Sequence, residues 1–148
     1  MKIIITGATG MVGSEAVRQA LTDNDITRVI ALVRRPLTVH HPKLDVIIHK
    51  DFLDYTSLTD VFKEADTCIW CLGVSQLQVS KEEYVKITHD YTIEAAKAMM
   101  TANPSISFLF VSGVGADNTG KSKTIFAREK GRTENDLKKM GMKNLYII

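Results

Sequence analysis

The segment Lys2-Ile3-Ile4-Ile5-Thr6-Gly7-Ala8-Thr9-Gly10-Met11-Val12-Gly13 constrains this chain more than any other. A short unbroken apolar run, the pattern of a strand buried on both faces, meets three regularly spaced glycines. From Ser14 to Leu21 the pattern becomes helical. Strand, glycine-rich turn and helix N-terminus form the geometry that holds a dinucleotide pyrophosphate. The turn needs residues that accept unusual dihedrals, and its backbone must come close to the phosphates. The free N–H groups of the first helical turn then point at the anion, aided by the helix dipole. Gly7, Ala8, Thr9, Gly10, Met11, Val12 and Gly13 are therefore candidate cofactor-binding residues.

The rest of the chain repeats the alternation of strand and helix. Strands are expected over 27–33, 45–49, 66–72, 106–111 and 144–148, with helices over 56–64, from Ser80 to just before Asn103, and from about Lys123 to Met140. Ser80-Lys81-Glu82-Glu83 is a capping box, and Gly141 is placed to close the last helix. Such alternation means a parallel sheet covered on both faces, here a Rossmann-type doubly wound α/β domain of three layers, α-β-α, with strand order 3-2-1-4-5-6. The 148 residues make one domain with a sizeable core. The last residues, Leu145-Tyr146-Ile147-Ile148, form a strand with no turn after it, which reads as a chain cut before a substrate-binding portion.

Composition bounds the partners. A net charge of +2 is too small to argue for nucleic acid or an anionic membrane surface. No apolar run reaches the roughly 18 residues of a membrane span. The chain opens directly in a strand with no secretory leader, so a cytoplasmic protein is expected. Cys68 and Cys71 are spaced Cys-x-x-Cys, but Thr67-Cys68-Ile69-Trp70-Cys71-Leu72 reads as a strand. Residues three apart on a strand face opposite ways, so two small core residues are expected and no redox pair. His40, His41, His49 and His89 show no metal-ligand spacing and read as surface or half-buried residues. No metal site is expected.

The end of the second strand selects the cofactor. A carboxylate about 20 residues past the glycines bonds the ribose 2′-hydroxyl in NAD-preferring proteins. Here Arg34 and Arg35 stand there, with no acid. Guanidinium groups grip a 2′-phosphate through forked, charge-assisted bonds, so NADP is expected over NAD; two solvated arginines are the alternative. Asp51 and Phe52 follow the third strand, where they can address the adenine amine and ring, although a turn aspartate has equal standing. Leu72, Gly73 and Val74 end the fourth strand, where a glycine lets the backbone pass close to a nucleotide.

Ser112 ends the fifth strand, and Lys130 falls on the last, charged helix. With these residues in place, the chain resembles the short-chain dehydrogenase/reductase superfamily. Its nearest likeness is to the atypical, extended-type members, the NmrA-like and Tat-interacting-protein-like proteins. The resemblance is carried by residues 6–13, Arg34-Arg35, Asp51, Val111-Ser112-Gly113-Val114-Gly115-Ala116-Asp117 and Phe126-Ala127-Arg128-Glu129-Lys130-Gly131. It implies a serine that holds the substrate oxygen, matched by Ser112, and a lysine on the nicotinamide ribose, matched by Lys130. It also implies a tyrosine four residues before that lysine, transferring a proton while hydride moves. That position is Phe126, which has no proton to give; such help is worth roughly 10²–10⁴-fold in rate. Tyr84 and Tyr91 lack a lysine at the required offset, since Thr88 and Ala95 stand there. Two functions follow. One is an NADP-dependent oxidoreductase, or epimerase-like relative, acting on a small carbonyl or sugar-like substrate. The other is an inactive NADP(H)-sensing regulator that presents a surface to a partner protein. The resemblance adds a homodimer through the two long helices. The basic residues of the late loop and helix, Lys121, Lys123, Arg128, Lys130 and Arg132, read as a solvated face, with Glu129, Glu134 and Asp136 as counter-charges.

Overall fold

Isoleucines 3, 4 and 5 set the layering. Alternate residues of a strand point to opposite faces, so Ile4 enters one apolar cluster while Ile3 and Ile5 enter another. The computed structural model, which describes residues 1–148, builds a sheet of six parallel strands in the order β3-β2-β1-β4-β5-β6. These are β1 (Lys2–Thr6), β2 (Arg28–Val33), β3 (Leu44–Ile48), β4 (Thr67–Trp70), β5 (Ser107–Phe110) and β6 (Asn144–Ile147). The expected Rossmann order is therefore present, with register pairs such as Ile4 with Ile30 and Cys68 with Phe108.

The larger core lies on the Ile4 face, where Ile30, Leu32, Trp70, Phe108 and Phe110 of the sheet meet covering helices. Those helices are α2 (Thr59–Glu64, entered through a 3-10 turn at Thr56–Leu58), α4 (Tyr91–Ala102) and α5 (Ile125–Lys139). The opposite face packs Ile3, Ile5, Val29, Ala31 and Val33 against Val17, Ala20 and Leu21 of α1 (Met11–Thr22). Coverage of that second face is partial. The connection from β2 to β3 is a loop with no helix, and α1 covers β1 and β2; Ile69 and Leu109 stay half-buried there, while Tyr146 is exposed.

The expected helix beginning at Ser80 is present but not uniform. Ser80 Oγ accepts from Glu83 N at 3.2 Å and caps α3 (Lys81–Val85). One turn of π-helix, Lys86–Asp90, then leads into α4. A wider turn of this kind shifts the angular position of every later side chain. It turns His89 inward, to 8% exposure, with Nδ1 2.8 Å from Asp90 Oδ1 and Nε2 2.8 Å from Asp136 Oδ2 on α5. His89 is thus a buried tie between two helices, where a surface or half-buried residue was expected. Its hydrogen bond is the main reason the Asp136 carboxyl is held below the usual carboxylate range.

Candidate cofactor cleft and reactive subsite

At the carboxyl edge of the sheet the chain leaves β1 for one side and returns to β4 on the other, which opens a crevice between these two strands. Thr6 is fully buried at its base, and its Oγ1 accepts from the N–H groups of Cys71 and Leu72, both at 3.1 Å. This pins the end of β4 to the start of the glycine turn. Gly7 then turns with φ 63°, and a Cβ there would sit 2.5 Å from the Cys71 carbonyl oxygen. Gly13 sits equally close to the turn, since a Cβ on it would overlap the Gly7 carbonyl.

The first turn of α1 is open. Its N-cap is Gly10, no side chain caps it, and no acid occupies its first turn. The first backbone bond into the helix is Ser14 N to Gly10 O at 2.9 Å, and Gly10 N itself donates to Gly7 O at 2.9 Å, so the N–H groups of Met11, Val12 and Gly13 are the ones available to an anion. Gly7, Ala8, Thr9, Gly10, Arg34, Arg35, Leu72 and Gly73 line a cleft of about 400 Å³ in front of this turn. Shape, free donors and adjacent guanidinium groups together fit a dinucleotide. A slightly larger groove, about 460 Å³, lies between α2 and α4 and has none of these features.

Other expected cofactor residues stand differently. Met11 and Val12 are exposed on the first turn of α1 and stand outside the lining of the cleft. Asp51 lies outside the lining, and its Oδ1 accepts from Leu53 N at 3.0 Å, closing its own turn. Phe52 reaches the cleft only as its floor. It is 1% exposed, with ring centroids of Tyr91 at 5.7 Å and Trp70 at 6.4 Å, so neither face is free for an adenine. Val74 is half-buried in the loop after β4, beyond the lining.

Ser112 and Lys130 come together on the β5 side of the crevice. Lys130 Nζ donates to Val111 O at 3.0 Å and lies 4.8 Å from the Phe110 ring centroid. Burial strips its water and brings its pKa down to about 8, against the opposing pull of Glu134 and Cys71. Ser112 Oγ donates to Glu134 Oε1 at 2.5 Å, and Asn118 Nδ2 donates to Glu134 Oε2 at 2.9 Å. The late helix is therefore no uniformly solvated face. Ala127, Lys130, Gly131 and Glu134 recur at helical spacing and all are buried, because this stripe packs inward. Gly131 allows the approach: a Cβ there would collide with the Asp117 carbonyl, so the loop lies directly on α5 and brings Asn118 to Glu134. Glu134 and Asn118 were not singled out as site residues from sequence. The available signal was that Glu134 stands four residues past Lys130, on its face of the helix.

Phe126 occupies the first turn of α5 with its N–H donating to Gln76 Oε1 at 3.1 Å. Its ring covers Gly113, where a Cβ would lie 2.6 Å from Cζ. The two cysteines behave as small packing residues. Cys68 is fully buried, and burial raises its thiol well above the usual range. Cys71, beside the cleft, is pushed up to about 11 by burial, only partly offset by Lys130. Iodoacetamide at pH 7.5 is therefore expected to label the folded protein far more slowly than the urea-unfolded chain, because the thiolate is the nucleophile. Labelling at equal rates would contradict that assignment.

A family model described as NAD(P)H-binding matches residues 7–146. Among curated proteins, the chain is 34% identical over 122 residues to leucinostatins biosynthesis cluster protein T of Purpureocillium lilacinum, covering 80% of this chain and 45% of that protein. It is 28% identical over 149 residues to protein FMP52, mitochondrial, of Meyerozyma guilliermondii, covering 100% and 63%. It is 23% identical over 149 residues to rat protein HTATIP2, covering 99% and 60%. The chain thus spans about half to two-thirds of the length of these relatives. The structure of a short-chain dehydrogenase from Burkholderia cenocepacia in complex with NADP superposes with a TM-score of 0.79 at 16% identity, covering 100% of this chain and 72% of that one. Several relatives carry the name FMP52, mitochondrial, which overturns the expectation of a cytoplasmic protein. Charge and apolar runs report compatibility with water, and an organelle interior is as aqueous as the cytosol. No helix is long and apolar enough to cross a membrane. With the glycine turn, the open helix terminus and the family match in agreement, the chain belongs to the NAD(P)H-binding family, with the fold of that short-chain dehydrogenase.

Proposed function

We propose that this protein is an NADP(H)-dependent oxidoreductase acting on a small carbonyl or alcohol substrate, in the mitochondrial compartment that its FMP52 relatives indicate. The observation that carries this reading is the pair of buried charges, Lys130 and Glu134, with the half-buried Ser112 beside the cleft. Buried polar and charged side chains cost stability, and a cation in partial desolvation at a cleft edge marks a functional site. In this reading the first turn of α1 holds the pyrophosphate, Arg34 and Arg35 hold the 2′-phosphate, and Lys130 orients the nicotinamide ribose. When bound, the cofactor supplies or accepts hydride. Ser112 holds the substrate oxygen, and the Phe126 ring over Gly113 keeps water from one side of it.

NADPH and NADH titrations followed by nucleotide fluorescence test the cofactor. Arg34→Ala is expected to weaken NADPH roughly 10–100-fold, the value of one or two hydrogen bonds to a charged group, and to leave NADH unchanged. Equal affinity for both nucleotides, unmoved by the substitution, would count against NADP preference. A panel of aldehydes, ketones and quinones then tests turnover. Phe126→Tyr is expected to raise kcat for carbonyl reduction by up to about 10²-fold without changing NADPH affinity, because it restores a proton donor.

Phe126 itself favours a second reading, an NADP(H)-sensing regulator without turnover. NADPH binding with no oxidation by any compound, in both wild type and Phe126→Tyr, would select it.

A further inference from the structure

The bond between Ser112 and Glu134 fixes more than a position. Two oxygens 2.5 Å apart must share a hydrogen, and a carboxylate has none to give. The serine hydroxyl therefore donates inward. Asn118 holds the carboxylate in that role: its Nδ2 lies 2.9 Å from Glu134 Oε2 and 3.3 Å from the Gly131 carbonyl, two acceptors that define which end of the amide faces them. Glu134 is 8% exposed and Ser112 half-buried at the end of β5. Once its single proton is committed, Ser112 has only lone pairs for anything placed beside it. It accepts, and cannot donate.

We propose that Glu134 is a positioning residue that sets the hydrogen-bond polarity of the Ser112 subsite, so that the subsite takes the alcohol member of an alcohol–carbonyl pair. A hydroxyl brings its own hydrogen to Ser112 Oγ, whereas a bare carbonyl oxygen meets lone pairs facing lone pairs. This rests on the oxidoreductase reading, and it adds a substrate class to it.

The polarity can be reversed without changing shape. In Glu134→Gln the new amide must keep its oxygen toward Asn118 Nδ2, since its nitrogen there would face another donor. Its NH2 then donates to Ser112 Oγ and frees the serine proton for a ligand.

Two measurements test the proposal. In protein labelled with ¹³C-carboxyl glutamate, the infrared difference between wild type and Ser112→Ala is expected to show a Glu134 carboxylate band that moves when the serine hydroxyl is lost. A protonated carboxyl band at neutral pH, or a band that does not move, would overturn it. In NADP-loaded protein, matched pairs such as cyclohexanol with cyclohexanone and benzyl alcohol with benzaldehyde are compared by ligand-observed NMR titration. Wild type is expected to prefer the alcohol by roughly tenfold, the value of one hydrogen bond. Glu134→Gln should favour the carbonyl. An unchanged preference in Glu134→Gln with an unaltered melting temperature would overturn the proposal, as would failure of every pair to bind. Failure of NADP itself to bind would sink the oxidoreductase reading while leaving the infrared result standing, so the two failures are read apart.

Discussion

Gly13→Ala is expected to destabilise the protein by at least about 3 kcal/mol, the upper range for forcing an extra carbon into packed structure. For a domain of this size that lowers the melting temperature by roughly 6–12 °C. The cause is geometric. The new Cβ would overlap the carbonyl of Gly7, and neither partner is a flexible side chain able to swing away. Gly13 is fixed by α1, whose Val17, Ala20 and Leu21 pack on the sheet. Gly7 is fixed by its φ of 63° and by the Thr6 hydroxyl bonds to the end of β4. Any relief moves the first turn of α1 away from the cleft, so NADPH affinity should fall together with stability. Gly10→Ala is the control. A Cβ there meets the Gly7 oxygen at 3.3 Å, and the backbone is already at φ −83°. A shift of a few tenths of an ångström accommodates it, so a change under about 1 kcal/mol is expected. Thermal melts and nucleotide titrations on both variants decide the matter, and equal effects would mean that close packing at Gly13 is not what holds the turn.

What made this turn legible in the sequence was its dependence on local rules alone. A buried strand, glycines and a helix start are adjacent in the chain, and so is the chemistry they imply. The strand order came with the Rossmann pattern that this opening unit announces, although the connection from β2 to β3 carries no helix. Two kinds of feature were not legible. The first depends on where a side chain points after a bend. Asp51 and Phe52 are neighbours at the right edge, yet one closes its own turn and the other packs between Trp70 and Tyr91. The π-helical turn at Lys86–Asp90 has the same origin, since apolar spacing does not separate one wide turn from regular helix, and the tie of His89 to Asp136 goes with it. The second kind depends on which charges are buried. Lys130 and Glu134 sit on a helix of low hydropathy that reads as a solvated surface, and it is the end of β5 together with the loop laid on Gly131 that encloses them.

Lys130→Met is expected to stabilise the free protein at neutral pH while removing its function. Burial lowers the lysine pKa from 10.5 to about 8, so its charged form is less stable in the fold than in the unfolded chain. Below about pH 8 both states are protonated and the fold carries the whole penalty. Between about 8 and 10.5 the unfolded chain still holds a proton that the folded lysine has released, so wild-type stability rises with pH through that window. Above it the penalty is gone. A shift of this size corresponds to roughly 3 kcal/mol, from which the lost bond to the Val111 carbonyl subtracts about 1 kcal/mol. The variant should therefore be more stable than wild type by about 2 kcal/mol at pH 7, and less stable by about 1 kcal/mol near pH 11. Urea unfolding at the two pH values reads the crossing directly. Parallel curves, or a variant weaker at both, would make Lys130 a structural residue. The nucleotide supplies the converse check. In the proposed pose Lys130 donates to the nicotinamide ribose, and hydrogen bonds made by the ammonium favour its charged form. Saturating NADPH, whose nicotinamide ring is uncharged, should thus flatten the alkaline rise of wild-type stability and leave that of Lys130→Met unaltered, which would locate the cost of the buried lysine in the free protein and its use in the bound one.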